Sequence, residues 1–128
     1  MNRTTGLFLL CLLLFFGEQA SFSQTDSLRV MSWNVENLFD THHDSLKLDY
    51  DFLPDGDCGW TPVRYWQKLH DVARVVMSAG NDDRVPDLVG LCEVENDTVM
   101  FDLTRRSALR SCGYQYVITD STAARGVD

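Results

Sequence analysis

Two polar side chains follow apolar segments that have the pattern of β-strands. Asn34 comes directly after "VMSW", and Glu93 comes directly after "LVGLC". Ligands of α/β sheets bind beyond the carboxyl ends of the strands, so a sheet that pairs these two segments brings both side chains together. Carboxylate and amide oxygens suit Mg²⁺, with Mn²⁺ as an alternative. The pair therefore predicts a site where Asn34 and Glu93 bind a metal that stabilises charge on a phosphoester. The alternative is that Glu93 is only a solvated residue at a strand end and that Asn34 only forms a turn.

The elements around these residues alternate between strand and helix. We predict a first strand over residues 27–35 and a second over 87–92, with apolar side chains on both of its faces. Between them lies a polar loop of about 25 residues, a length typical of functional or mobile loops. An amphipathic helix then begins at Thr61 and Pro62 and ends near Gly80.

A second helix and a third strand follow the second predicted strand. The helix begins near Asp97, with Asn96 or Asp97 as its cap, and ends at Gly113. Its inward residues are predicted to be Val99, Met100, Leu103 and Leu109. The third strand covers residues 114–120. This order of elements is typical of the α/β class.

The amino terminus has the layout of a secretory signal peptide. Residues 7–16 form an unbroken apolar run between Arg3 and the polar Glu18, and small residues precede a cleavage point before Gln24. We therefore expect residues 1–23 to be removed, the mature chain of 128 − 23 = 105 residues to contain no membrane span, and the protein to be secreted or periplasmic. A short anchor or a core helix is the alternative.

The formal net charge is −8, and removal of Arg3 and Glu18 together leaves it unchanged. Such a surface does not favour a protein that holds duplex nucleic acid by bulk charge, although a bound cation supplies positive charge locally.

The cysteines and Glu95 are predicted to have structural roles. Cys92 is predicted to be a buried thiol, and a bond between Cys58 and Cys112 is compatible with export but not established by spacing. Glu95 is interpreted as a helix-entry charge, with support of the metal site as the alternative.

The loop residues and the basic pair are interpreted in the same way. His42, His43 and the carboxylates of the "DYDFLPDGD" segment are assigned to a solvated loop. Arg64 and Lys68 lie on consecutive turns near the helix start; they are expected to pair with acidic neighbours, with phosphate contact as the alternative.

Two signatures together resemble the endonuclease/exonuclease/phosphatase superfamily of Mg²⁺-dependent phosphoesterases. They are "SWNV" within "VMSWNVENLFD" and "PDLVGLCE", in this order with a helix between them. The resemblance runs from about Leu28 to the last residue. It implies that residues 24–128 form the amino-terminal half of a four-layer αββα sandwich, in which helices flank two mixed β-sheets.

The resemblance also implies roles and substrates. Asn34 matches the active-site asparagine beside the metal and phosphate, and Glu93 matches the principal metal-binding glutamate. The reaction is then hydrolysis by water, without a covalent intermediate, of a nucleic acid, a phospholipid head group or a sugar or inositol phosphate, and no protein partner is predicted. The family's Asp-x-Asn and Asp-His pairs are not found up to Asp128, so we expect a truncated domain with little turnover alone.

Two rival functions fit some of the same residues. A glycosidase would use Glu93 as acid or nucleophile, but it needs a second strand-end carboxylate, which Asn34 does not offer. An extracytoplasmic binding module would keep the fold without turnover. Dependence of hydrolysis on Mg²⁺ separates the glycosidase from a phosphoesterase, and measurable phosphoesterase activity would rule out the binding module.

Overall fold

The computed structural model describes residues 27–80, 84–119 and 126–127. The predicted signal peptide at residues 1–23 lies outside these ranges, and so does the final residue of the predicted third strand. Within the described part of the chain, no helix is both long enough and apolar enough to cross a membrane.

Two parallel strands form the sheet. Strand β1 is Val30–Leu38 and strand β2 is Leu88–Val94, and their pairing begins with Val30 opposite Leu88. Both strands lie where the sequence predicts them, and each continues past its predicted end. The parallel pairing brings their carboxyl ends to the same edge of the sheet.

A bulge interrupts the pairing near this edge. The regular register ends where Asn34 faces Cys92, and it resumes where Leu38 faces Val94. Strand β1 therefore takes four residues, from 34 to 38, to cover the distance that β2 covers in two, from 92 to 94. Bulges of this kind re-aim side chains at strand ends, and here the bulge lies immediately after Asn34.

Helix α1, Pro62–Ser78, lies between the two strands in the sequence. Thr61 caps it by accepting a hydrogen bond from the Arg64 N–H, and proline occupies the first helical turn, as predicted. Its predicted apolar face is buried except for Trp66, which is half-buried; the buried members are Tyr65, Leu69, Val72, Ala73 and Val76.

The predicted second helix is shorter and less regular than its sequence indicates. Helix α2 covers only Asp97–Phe101; a π-helical turn follows at Asp102–Arg106, and a 3-10 turn follows at Ala108–Cys112. The hydroxyl groups of Thr104 and Ser107 donate to carbonyls four residues earlier, which competes with the regular helical ladder.

The predicted ends of this helical region are nevertheless confirmed. Asn96 is the cap of α2, accepting from the Val99 N–H at 3.0 Å, and Gly113 ends the 3-10 turn with a φ of 71°. Of the four residues predicted to face inward, Val99, Leu103 and Leu109 are buried and Met100 is half-buried.

The predicted third strand is wrong for its described residues, 114–119, which pair with no other strand. Side-chain contacts hold this segment instead. The Tyr114 carbonyl accepts from Arg105 at 2.7 Å, and the Tyr116 hydroxyl bonds Asp97 at 3.0 Å. The alternation that suggests a strand is present, but these residues form no backbone ladder with the described part of the sheet.

The two faces of the sheet have different surroundings. One packs on the core, with Met31, Trp33, Val89 and Leu91 half-buried against it. The opposite face carries Val30, Leu88 and Cys92, and here Val30 is 62% and Leu88 is 56% exposed.

One of the two apolar faces predicted for β2 is therefore exposed in this structure, and the prediction that Cys92 is a buried thiol is wrong. Both findings have one cause: in the described residues, no layer covers this face. The structure shows a mixed α/β arrangement with a two-stranded parallel sheet, and the four-layer sandwich stays a prediction.

Candidate active site

Asn34 and Glu93, the two residues that the sequence singles out, are in direct contact. The Asn34 Nδ2 donates a hydrogen bond of 3.0 Å to the Glu93 Oε1. The parallel register places Asn34 beside Cys92, so the next residue of β2 brings its carboxylate to the Asn34 side chain. Near its carboxyl end, the apolar strand β2 thus carries a carboxylate whose position is set by the neighbouring strand.

The bulge of β1 fixes both side chains through backbone groups. The Glu36 N–H donates to the Asn34 Oδ1 at 2.8 Å, and the Asn37 N–H donates to the Glu93 Oε2 at 2.9 Å. Both Glu93 oxygens therefore accept a hydrogen bond from β1. The two donors that orient the Glu93 carboxylate, the Asn34 side-chain amide and the Asn37 backbone N–H, are both uncharged.

Three residues of this network have a left-handed backbone. The φ angles are 58° at Glu36, 59° at Asn37 and 62° at Glu93, and none of them is glycine. Asparagine tolerates this conformation, whereas for glutamate it costs about 1–2 kcal/mol. Strain of this kind persists only where surrounding contacts hold it, and it concentrates at functional sites.

The orientation of the Asn34 amide follows from its two partners. Its oxygen faces the Glu36 N–H, and its NH₂ group faces the Glu93 carboxylate. The reverse orientation would place the NH₂ group against the Glu36 N–H and the amide oxygen against the Glu93 oxygen. In this arrangement Asn34 acts on Glu93 as a hydrogen-bond donor.

The chemistry of the site fits a hard divalent cation with few protein ligands. Mg²⁺ keeps several waters and commonly binds one or two carboxylates together with a phosphate. Glu93 supplies one oriented carboxylate, and each of its oxygens accepts a hydrogen bond from β1. In the described ranges, no group of three or more His, Cys, Asp or Glu residues has a geometry that could hold a metal.

Comparison with protein families identifies the chain. A model of the endonuclease/exonuclease/phosphatase family matches residues 29–128, which include both strands and the whole contact network. The chain belongs to this family.

The resemblance seen in the two signatures is thereby confirmed. Searches of curated proteins and of solved structures found no match. Membership supports a hydrolase of the phosphoesterase or nuclease kind that acts on phosphoesters, in a family that generally depends on a divalent metal.

In this family member, an open groove of about 530 Å³ lies beside Asn34. Arg64 and Lys68 line it, and their charged groups lie 5.7 and 5.6 Å from the centroid of the Trp60 ring. Both cations donate to backbone carbonyls: Arg64 to those of Cys58 and Gly59, and Lys68 to that of Glu36. The hydrogen-bond acceptors of Arg64 and Lys68 are therefore backbone carbonyls of the loop and the bulge, and not the acidic side chains that the sequence predicts.

A second carboxylate of the same strand end points elsewhere. Glu95 accepts a hydrogen bond of 2.7 Å from the Asp40 N–H, and the Asp40 carboxylate accepts one of 3.1 Å from the Asn96 amide. Burial raises the pKa of Glu95 to about 7; the nearby carboxylates of Asp40, Asp49 and Asp44 add to this, and the Asp40 N–H opposes it. The Glu95 carboxylate is thus hydrogen-bonded to the backbone of Asp40. Its interpretation as a helix-entry charge does not predict this contact.

This raised pKa predicts a pH-dependent stability. The folded chain holds the Glu95 proton up to about pH 7, whereas the unfolded chain loses it near 4.5, so the stabilisation is complete below pH 4.5 and is lost as the pH rises through 7. Glu95→Gln should remove this dependence. Between pH 5 and pH 8, the wild type should lose about 1–2 kcal/mol of unfolding free energy that Glu95→Gln retains, once solvent screening is allowed for. The melting temperature of the variant should therefore rise relative to that of the wild type over this range.

Thermal unfolding at several pH values measures this difference, and Asp55→Asn, in an exposed loop, controls for the removal of one negative charge. Parallel pH curves for the wild type and Glu95→Gln would contradict the assignment.

The loop before α1 is only partly solvated. Asp49 is 1% exposed; it contacts the His43 ring nitrogen and accepts the Asp44 N–H at 2.8 Å. The assignment of this whole segment to a solvated loop is therefore wrong at Asp49. It holds for the His42 side chain, which is 86% exposed.

The three cysteines of the described residues, Cys58, Cys92 and Cys112, are all free thiols. The pairing of Cys58 with Cys112 that export would allow is not present in this structure.

Several parts of the site leave little trace in the sequence. The Glu36 and Asn37 amides act through the backbone, and a bulge made of non-glycine residues carries no glycine signal. The sequence predicts that Lys68 pairs with an acidic neighbour, with phosphate contact as the alternative. Its position one turn after Arg64, on the helix that follows the Asn34 loop, is the one signal that could have pointed to it.

Proposed function

We propose that this protein is an exported, Mg²⁺-dependent phosphoester hydrolase. The observation that carries the proposal is the contact of Asn34 with Glu93 at adjacent strand ends, within a chain of the endonuclease/exonuclease/phosphatase family. Export is proposed from the apolar run at residues 7–16 and the small residues before Gln24.

In this proposal, Glu93 binds the metal through its carboxylate. The Asn37 N–H and the Asn34 NH₂ hold the two carboxylate oxygens, so the ligand keeps one orientation as the substrate arrives. Bound Mg²⁺ supplies positive charge that stabilises the phosphoryl oxygens during hydrolysis by water.

Asn34 has a second role in the proposal. Its NH₂ group lies beside the metal ligand and next to an open groove, which suits a donor to a phosphate oxygen or to the attacking water. Direct binding of the metal by the Asn34 oxygen is the alternative, and it requires the amide to rotate away from the Glu36 N–H.

The substrate is proposed only as a phosphoester. With a formal charge of −8, the protein is expected to recognise a nucleic acid, a phospholipid head group or a sugar phosphate through the metal site rather than through bulk charge.

The test is hydrolysis by the protein expressed from its complete reading frame. We expect cleavage of a phosphodiester or phosphomonoester probe, such as bis-p-nitrophenyl phosphate or p-nitrophenyl phosphate, in Mg²⁺ and none above background after chelation, because the proposed charge stabilisation comes from the metal. Restoration by added Mg²⁺ or Mn²⁺ is the control. Activity that persists in chelator, or hydrolysis of glycosides alone, would contradict the proposal, and no turnover of any probe would favour a binding module.

A further inference from the structure

Lys68 joins helix α1 to the bulge of the candidate active site. Its Nζ donates to the Glu36 carbonyl, although Glu36 lies 32 residues earlier in the chain. The neighbouring residue Leu69 is fully buried, and Lys68 itself is half-buried beside it. The side chain therefore links two elements, the helix and the bulge.

The acceptor of this hydrogen bond belongs to a peptide group with a second contact. The Glu36 carbonyl and the Asn37 N–H are the two ends of one planar peptide unit. Lys68 binds the oxygen end, and the Glu93 Oε2 accepts from the N–H end at 2.9 Å. A cation at the oxygen and an anion at the N–H both polarise the peptide in the same direction, which strengthens each hydrogen bond.

This peptide group needs to be held. Both residues that flank it, Glu36 and Asn37, have left-handed φ angles, and β1 has left its regular register at this point. A relaxed bulge would rotate the peptide and release one oxygen of Glu93. The contact that opposes such a rotation from the helix side is the Lys68 hydrogen bond.

We propose that Lys68 is a positioning residue of this site, which orients the Glu36–Asn37 peptide and, through it, the Glu93 carboxylate. The proposal rests on the proposed function where it concerns metal binding, and it rests on the hydrogen bonds alone where it concerns the bulge.

Arg64 provides a matched comparison. It lies one turn earlier on the same helix and stacks on the same Trp60 ring, but its acceptors are Cys58 and Gly59, outside the bulge. Loss of either cation removes one charge from the groove. Only the loss of Lys68 removes a hydrogen bond to the bulge.

The first measurement is amide hydrogen exchange of the full-length protein, followed by NMR. In Lys68→Met we expect the Asn37 amide to exchange about tenfold faster. In Lys68→Arg, which keeps a charged donor, and in Arg64→Met the rate should stay near the wild-type value. An unchanged Asn37 rate in Lys68→Met, with α1 amides still protected, would overturn the proposal.

The second measurement is Mn²⁺ binding followed by electron paramagnetic resonance. If Lys68 positions Glu93, Lys68→Met should bind Mn²⁺ about five- to tenfold more weakly, and Lys68→Arg should restore the affinity. If Lys68 were only a neighbouring charge, its removal would relieve repulsion, so equal or tighter Mn²⁺ binding would overturn the positioning role. Failure of the wild type to bind Mn²⁺ would refute the proposed function and leave the exchange result to decide the role of Lys68 in the bulge.

Discussion

Glu93→Gln is expected to lower metal-dependent hydrolysis by about 10³-fold or more. The charge stabilisation supplied by a bound metal amounts to several kcal/mol, and a neutral amide is a poor substitute for its carboxylate ligand. The substitution also disrupts the contacts of the site. Both Glu93 oxygens accept N–H groups, so a glutamine at this position turns its own NH₂ group towards either the Asn34 NH₂ or the Asn37 N–H.

The measurement is kcat/KM as a function of Mg²⁺ concentration, together with Mn²⁺ affinity. Glu95→Gln is the matched control, since it makes the same change two residues along the chain at a carboxylate that contacts Asp40 instead. We expect the control to stay within about threefold of the wild type, as for a substitution away from the reacting groups. A Glu93→Gln variant that retained a tenth of the wild-type activity would show that the metal is held elsewhere.

The meeting of Asn34 with Glu93 could be predicted because it depends on two regular features. An apolar run sets each strand, and a helix between two strands favours parallel neighbours whose carboxyl ends share one edge. Helix α1 could be predicted equally well, since its cap, its first proline and its apolar spacing all indicate the same helix. Where several local signals point to the same element, the sequence determines that element and the position of its end residues.

The details that orient the two side chains could not be read from the sequence. The bulge depends on left-handed angles at Glu36 and Asn37, and these are stabilised by contacts with Glu93 and Lys68 from distant parts of the chain. Residues 114–119 show the converse error, because their alternation suits a strand but they pair with no other strand in the described residues. Long-range partners decide both cases, and a local pattern does not contain them.

Asn34→Ala is expected to reduce kcat by about 10²–10³-fold, the range seen when one donor to a developing charge is removed. Metal affinity should fall by a smaller factor, about tenfold or less, because the Asn37 N–H still holds the second oxygen of Glu93. The separation of kcat from Mn²⁺ affinity is the measurement. An equal loss in both would indicate that Asn34 acts mainly by holding Glu93.

Asn34→Asp distinguishes the two roles that the Asn34 amide can have. Aspartate keeps an oxygen for the Glu36 N–H but replaces the NH₂ group, 3.0 Å from Glu93, with a second negative oxygen. If the NH₂ group is the donor that catalysis needs, this variant should bind Mn²⁺ at least as tightly as the wild type and still lose about 10²-fold in kcat. If the Asn34 oxygen binds the metal instead, the carboxylate should serve as well or better, and activity close to that of the wild type would assign Asn34 to the metal.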